Sequence, residues 1–218
     1  MITNTVGERL VALVKTIVFA RHGKAVKANP SDPDETRQLN QLGFEQALKL
    51  GAKLTPYRFD LVLSSPLLRA RMTMAVATVG HYVVHDVPEL SCLTGPESPI
   101  EKMWAELGNV PISHYFKHPL AEGLREWTNK AKEAFLDAIA NHGHMRGGQT
   151  VLVGGHALLQ NALACALAAA LHEQGMADAA AASNMAANEI LSDGEAFVFT
   201  LDRLCCQNRV ISEHIKLD

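Results

Sequence analysis

Residues 15–24, KTIVFARHGK, decide how this 218-residue chain is read. Thr16, Ile17, Val18, Phe19 and Ala20 form a short apolar, partly β-branched run, the pattern of a buried strand. It stops abruptly at Arg21-His22-Gly23-Lys24. A strand that ends in a cation, an imidazole and a glycine delivers polar chemistry to the rim of a sheet. In open α/β sheets, ligands bind outside the carboxyl ends of the strands. Arg21 offers a planar fork of donors suited to phosphate. His22 is the one residue of the four whose proton affinity lies near neutral pH, so it can serve as nucleophile, base or metal ligand. Gly23 lets the backbone turn away and approach a ligand closely.

The same strand-then-polar pattern recurs along the chain. Phe59–Leu63 reads as a second buried strand, followed by Ser64-Ser65-Pro66, with Ser65 as N-cap and Pro66 at the first helical position. That helix runs to about Val79 and carries Arg69 and Arg71. Tyr82–His85 is a third strand feeding Asp86-Val87-Pro88-Glu89-Leu90. Thr150–Val153 is a fourth, leading through Gly154-Gly155-His156 into an alanine-rich helix near Leu158–Leu171. Leu39–Leu54 carries apolar residues at helical spacing, with Asn40 as N-cap. Ala25–Thr36, rich in Pro and Asp, is a loop beside the first strand end. Residues 1–14 form a short helix or an arm, and 175–187 a loop or weak helix. Glu189–Ser192 and Ala196–Leu201 read as a hairpin about Asp193-Gly194-Glu195. Strand–helix alternation makes the fold class α/β, with a mostly parallel sheet and helices on both faces. Residues 91–148, with helices at Ile100–Leu107 and Ala121–Ala140, read as a helical cap inserted into a single domain spanning 1–218.

Composition narrows the function classes. Hydrophobic content is 48%, charged content 20% and net charge −3, so the chain is neither disordered nor fibrous and has no dedicated nucleic-acid surface. Any anion site must be a local cluster of cations. Cys92, Cys165, Cys205 and Cys206 lack metal-ligand spacing and read as reduced thiols. Glu8, Arg9 and Lys15 interrupt the apolar N-terminal stretch and no run approaches membrane-spanning length, so the reading is cytoplasmic, with no membrane partner. His114, His118, His142 and His144 have no accompanying Cys or Asp cluster and read as loop histidines rather than a metal site. No metal and no cofactor is called for.

The strand-RHG unit, QLNQLGFEQALKLGAKL (Gln38–Leu54), DLVLSSPLLRARMTMAV (Asp60–Val76), VPEL (Val87–Leu90) and VLVGGHALLQ (Val151–Gln160) together resemble the histidine phosphatase superfamily. That superfamily includes the cofactor-dependent phosphoglycerate mutases and bacterial phosphohistidine phosphatases. The blocks follow the family's order from about residue 15 to 160. The resemblance implies a phosphoglycerate mutase-like fold with His22 as nucleophile and Arg21 and Arg69 as a phosphate clamp. It makes His156 a second catalytic and phosphate-binding group, and Glu89 the general acid. To act, Glu89 must hold a proton near neutral pH, through burial or an adjacent negative charge. Asp86, Glu97 and Glu101 are its rivals. Arg71 competes with Arg69, but SSPLLRA matches the family at Arg69.

Three positions depart from the pattern. Ala157-Leu158-Leu159 follow His156 where many members have Gly, Asn or Pro. Lys24-Ala25 follow RHG where mutases and sugar phosphatases have Glu-Thr, and Asn40 stands where Thr is common. RHGKA and LNQLG are more similar to the phosphohistidine-phosphatase branch. The implied function is a metal-independent phosphatase of phosphomonoesters or phosphohistidine, working through a covalent phosphohistidine on His22. A phosphoglycerate mutase-type isomerase is the alternative, and a non-catalytic phosphate-binding protein the third reading. The substrate is a phosphorylated small molecule or a phosphoprotein. Trp104, Tyr115, Phe116 and Trp127 are candidate pocket liners in the cap. The sequence fixes no oligomeric state.

Overall fold

In the computed structural model, β1 (Val14–Arg21) lies inside a six-stranded sheet of order β3-β2-β4-β1-β5-β6. The structure describes residues 5–29, 34–91, 98–142, 147–203 and 208–217. Cys92, Glu97, Gly143, His144, Cys205 and Cys206 lie outside them. β1 reads as a continuous apolar run because both sheet faces are covered. Ile17 and Phe19 enter one core cluster, Val18 and Ala20 the other, and all four are fully buried.

β2 (Leu61–Ser64), β3 (Val84–Asp86) and β4 (Gln149–Gly155) run parallel with β1. β5 (Ala196–Asp202) pairs antiparallel with β1 and with the edge strand β6 (Arg209–Ile215). The sheet is therefore mostly parallel, as expected. Its register sets the site. Arg21 pairs with Gly155, Ser64 with Gly154, and Ser64 with Asp86, so four strand ends finish level on one rim.

Helices cover both faces. α2 (Gln41–Leu54) and α3 (Leu68–Ala77) bury Leu50, Leu54, Met74 and Ala77 on one side. Asn40 caps α2 as expected, its side chain accepting from Gly43 N at 2.9 Å. The other face carries α1 (Val6–Leu13), α4 (Pro99–Leu107), α5 (Ile112–Tyr115), α6 (Ala121–His142), α7 (Ala157–Glu173) and α8 (Ala179–Asn188). α6 sends Leu124, Ala131, Phe135, Leu136 and Ile139 into the same core as the sheet. α7 is apolar nearly all round because it is packed between the sheet and neighbouring helices, where alanine permits close approach.

Three readings of the sequence change. Ser65 does not cap α3: the helix starts at Leu68, with Leu67 as an N-cap lacking a side-chain bond. The Ser65 hydroxyl accepts from Leu67 N at 3.4 Å and lies 3.2 Å from His156 Nε2. The expected hairpin is also displaced. The turn is real, with Gly194 at φ +82°, but residues 189–192 form no strand, and the partner of β5 is β6. Residues 189–192 are diverted because Glu189 O accepts from Asn161 Nδ2 and Leu191 O from Arg21. Finally, Gly23 makes its close approach to another backbone: a Cβ there would meet Gly43 O at 2.4 Å, and one on Gly43 would meet Lys24 O at 2.0 Å. The glycine of LNQLG thus lets α2 lie directly on the RHG turn.

Candidate active site

His22 is the first residue beyond β1, and its backbone N–H donates to Gly155 O at 2.9 Å, which ties it to the end of β4. Its Nδ1 is 2.8 Å from the Gly23 carbonyl, which can only accept, so Nδ1 carries the proton. Arg69 Nε donates to His22 Nε2 at 3.3 Å. The ring is therefore the neutral tautomer with its lone pair on Nε2. Burial pushes the imidazole down from 6.5 to about 4, with the charges of Arg69 and Arg21 acting in the same direction. The Gly23 hydrogen bond and Asp193 act against it.

Arg69, in the first turn of α3, is 5% exposed. Its Nη1 donates to Asp34 O at 2.9 Å and its Nη2 to Asp34 Oδ2 at 2.8 Å. Arg37 Nε lies 2.7 Å from Asp34 Oδ1. Thr73, one turn along α3, accepts from Gly23 N at 3.0 Å and donates to Arg69 O at 2.7 Å, locking the RHG turn to the helix that presents Arg69.

Arg21 is held from the other side. Its Nη1 donates to Leu191 O at 2.6 Å and its Nη2 is 2.7 Å from Asp193 Oδ1, while its Nε is buried with no hydrogen-bond partner among the described residues. Burial lowers the pKa of both guanidinium groups, and Asp193 and Asp34 work against that loss. His156 N-caps α7, and its ring meets the edge of His22 with centroids 5.0 Å apart. Burial first, then His22, Arg69, Arg21 and Arg37, hold it well below its ordinary value.

The structure thus gathers Arg21, His22, Arg69 and His156. Glu89 is exposed on the 3-10 turn Pro88–Leu90, just beyond the end of β3, and among the described residues no hydrogen bond joins it to those four. Arg71 points away and pairs with Asp86 at 3.3 Å. Lys24 is mostly exposed, 3.6 Å from Asp193. Among the described residues, no three His, Cys, Asp or Glu side chains converge as metal ligands. His118 pairs with Glu106, and His142 stacks on His85. The reading of single residues missed Asp34, Arg37, Thr73 and Asp193. Arg37 stands directly before the Gln38–Leu54 block, and Asp34 lies in the Asp-rich loop beside the first strand end.

The sequence model of the histidine phosphatase superfamily, branch 1, matches residues 17–201. The chain belongs to the histidine phosphatase superfamily. Its enzymes are phosphatases and mutase-type phosphoryl-transfer catalysts, and this histidine phosphatase is an enzyme of that phosphatase type. No curated protein matches the sequence. The protein described as phosphohistidine phosphatase SixA from Agrobacterium tumefaciens is similar at 20% identity and TM-score 0.54, over 94% of this chain and 99% of that one. A mycobacterial glucosyl-3-phosphoglycerate phosphatase in complex with VO3 is similar at 17% identity and TM-score 0.58, over 92% and 98%. An Escherichia coli protein described as an alpha-ribazole-5'-P phosphatase is similar at 18% identity and TM-score 0.56, over 94% and 98%. At these identities the likeness establishes the fold. No helix among the described residues is long and apolar enough to cross a membrane.

Proposed function

We propose that this histidine phosphatase hydrolyses its substrate without a metal, through a covalent phosphohistidine on His22. The observation that carries this reading is the tautomer: Nδ1–H is fixed on Gly23 O, and the Nε2 lone pair faces a buried arginine. A nucleophile must be unprotonated when substrate arrives, and a low pKa at His22 keeps it so at neutral pH. In the first step Nε2 attacks phosphorus, the bond from phosphorus to the leaving atom breaks, and that atom takes its electron pair and a proton. In the second step water attacks the phosphorus and gives a proton to the carboxylate that lost one in the first step, the P–N bond breaks, and Nε2 recovers its lone pair. Arg21, Arg69 and His156 supply the positive field and donors for the equatorial oxygens. Arg37 adds to that field.

Phosphate must take Arg69 over from Asp34, whose carboxylate now holds Nη2 and whose backbone carbonyl holds Nη1. Glu89 is the proton donor we assign, brought to the leaving group by the bound substrate. Asp34, paired with Arg69 and Arg37 beside His22, is its rival.

We place the cap in α4 and α5. A small crevice runs between Trp104, Val110 and Ile112 of that region and Ala157 and Leu158 beside His156. It is our site for the leaving group. Of the aromatic candidates only Trp104 lines it; Tyr115 is core, donating to Gly108 O, and Trp127 donates to Ser91 O. The test is release of phosphate from p-nitrophenyl phosphate by wild type and His22→Ala. Activity should drop by about 1000-fold or more, and acid-labile 32P on the wild-type protein should vanish in the variant. Undiminished turnover in a clean variant preparation ends the reading.

A further inference from the structure

The edge strand β6 carries one buried titratable side chain that the reaction above does not use. His214 is 6% exposed in its side chain and packs edge-on against Phe197, with ring centroids 4.9 Å apart. Both ring nitrogens are engaged by carboxylates: Nδ1 with Glu189 Oε2, and Nε2 with Glu195 Oε2 at 3.0 Å. Glu195 Oε2 also accepts from Ser192 N at 2.9 Å, which fixes that carboxylate in turn.

These two glutamates are the ends of the segment that holds Arg21. Between them, Leu191 O accepts from Arg21 Nη1 and Asp193 pairs with Nη2. The Glu195 carbonyl accepts from Arg21 N at 2.9 Å, and Gly194 N donates to His22 O at 3.2 Å. The segment forms no strand and no helix, so sheet pairing does not set its shape. One imidazole bridges it at both ends, as a staple bridges a loop.

We propose that His214 is a positioning residue for phosphate binding: by bridging Glu189 and Glu195 it holds residues 189–195 in the shape that aims Arg21 into the site. The inference rests on the reading of Arg21 as a phosphate ligand, and a double-mutant cycle separates the two. Binding of inorganic phosphate at neutral pH is measured by calorimetry on wild type, Arg21→Ala, His214→Ala and the double variant, each checked by thermal unfolding. Arg21→Ala should weaken phosphate at least tenfold. His214→Ala should weaken it several-fold when Arg21 is present and less than twofold when it is absent, although its effect on melting temperature is the same in both backgrounds. His214→Gln, which keeps one donor, should recover part of the affinity, and it replaces His214→Ala should that variant fail to fold. An equal loss in both backgrounds, or none in either, overturns the positioning role. No loss on Arg21→Ala overturns the phosphate reading of Arg21, and the inference with it.

Discussion

The two arginines flanking His22 are each gripped by an aspartate, yet the two grips differ in kind. Asp193, 16% exposed in its side chain, holds Arg21 from a segment whose two ends, Glu189 and Glu195, meet one buried imidazole. Asp34, 52% exposed, holds Arg69 from a three-residue 3-10 turn with no buried residue. Charges desolvated together resist separation, whereas a pair open to water is worth little. One side of the pocket is therefore scaffold, and the other is an occupied anion seat that can yield. An acid lodged on Arg69 also keeps the buried guanidinium charged while no phosphate is bound.

The comparison breaks first at the arginines themselves. Arg69→Ala should cost about 100- to 1000-fold in kcat/KM, because Arg69 serves both the phosphate oxygens and His22 Nε2. Arg21→Ala should cost a similar or smaller factor, read with the same aryl phosphate. If Arg69→Ala is benign, the Asp34 side is no anion seat.

Next comes pH. His22 sits at about 4 in the fold against an ordinary 6.5. Corrected for the substrate's own ionisation, kcat/KM should be flat above pH 5 and fall about tenfold per unit below 4, as Nε2 takes a proton. Stability follows the same sign. The unfolded chain binds the proton more tightly, so this contribution is fully present above 6.5 and is lost as pH falls from 6.5 through 4. A kcat/KM profile that breaks near 6.5 would show the histidine to be hydrated and ordinary.

Glu89→Gln sharpens the question of the acid. Slow esters with poor leaving groups should lose about 10- to 100-fold while p-nitrophenyl phosphate is nearly unaffected. If Asp34→Asn shows that pattern and Glu89→Gln does not, the yielding aspartate is the proton donor.

The smallest effects are the most diagnostic of the asymmetry, because they have opposite signs. Asp193→Asn should weaken inhibition by inorganic phosphate about 3- to 10-fold by loosening Arg21. Asp34→Asn should strengthen it about 2- to 5-fold, since a half-exposed carboxylate no longer competes with phosphate for the buried Arg69. Changes of the same sign in both variants would erase the distinction.

How much of this was legible in the sequence follows from how far apart the cooperating residues lie. The four parallel strands are visible because each is a local apolar run ending in a turn or a polar residue. α8 is ambiguous because alanine, serine and asparagine make no amphipathic stripe over 179–188. β6, RVISEHI, escapes the reading because an edge strand alternates exposed and buried positions and here carries charge on its outer face. The 189–195 segment reads as a hairpin because Asp-Gly is a hairpin signal, whereas Asn161 and Arg21, both remote in the chain, divert it.

The sequence by itself determined the α/β class, the strand ends that present Arg21, His22 and His156, and the helix that presents Arg69. Each is written within a few residues of a strand or cap, where periodicity and turn chemistry act. Only the tertiary structure decided which acid grips which arginine, that Gly43 rests on Gly23, and that the Ser65 hydroxyl reaches His156. Those contacts join residues remote in the chain, and no local pattern encodes a partner that only the register of the sheet brings within reach.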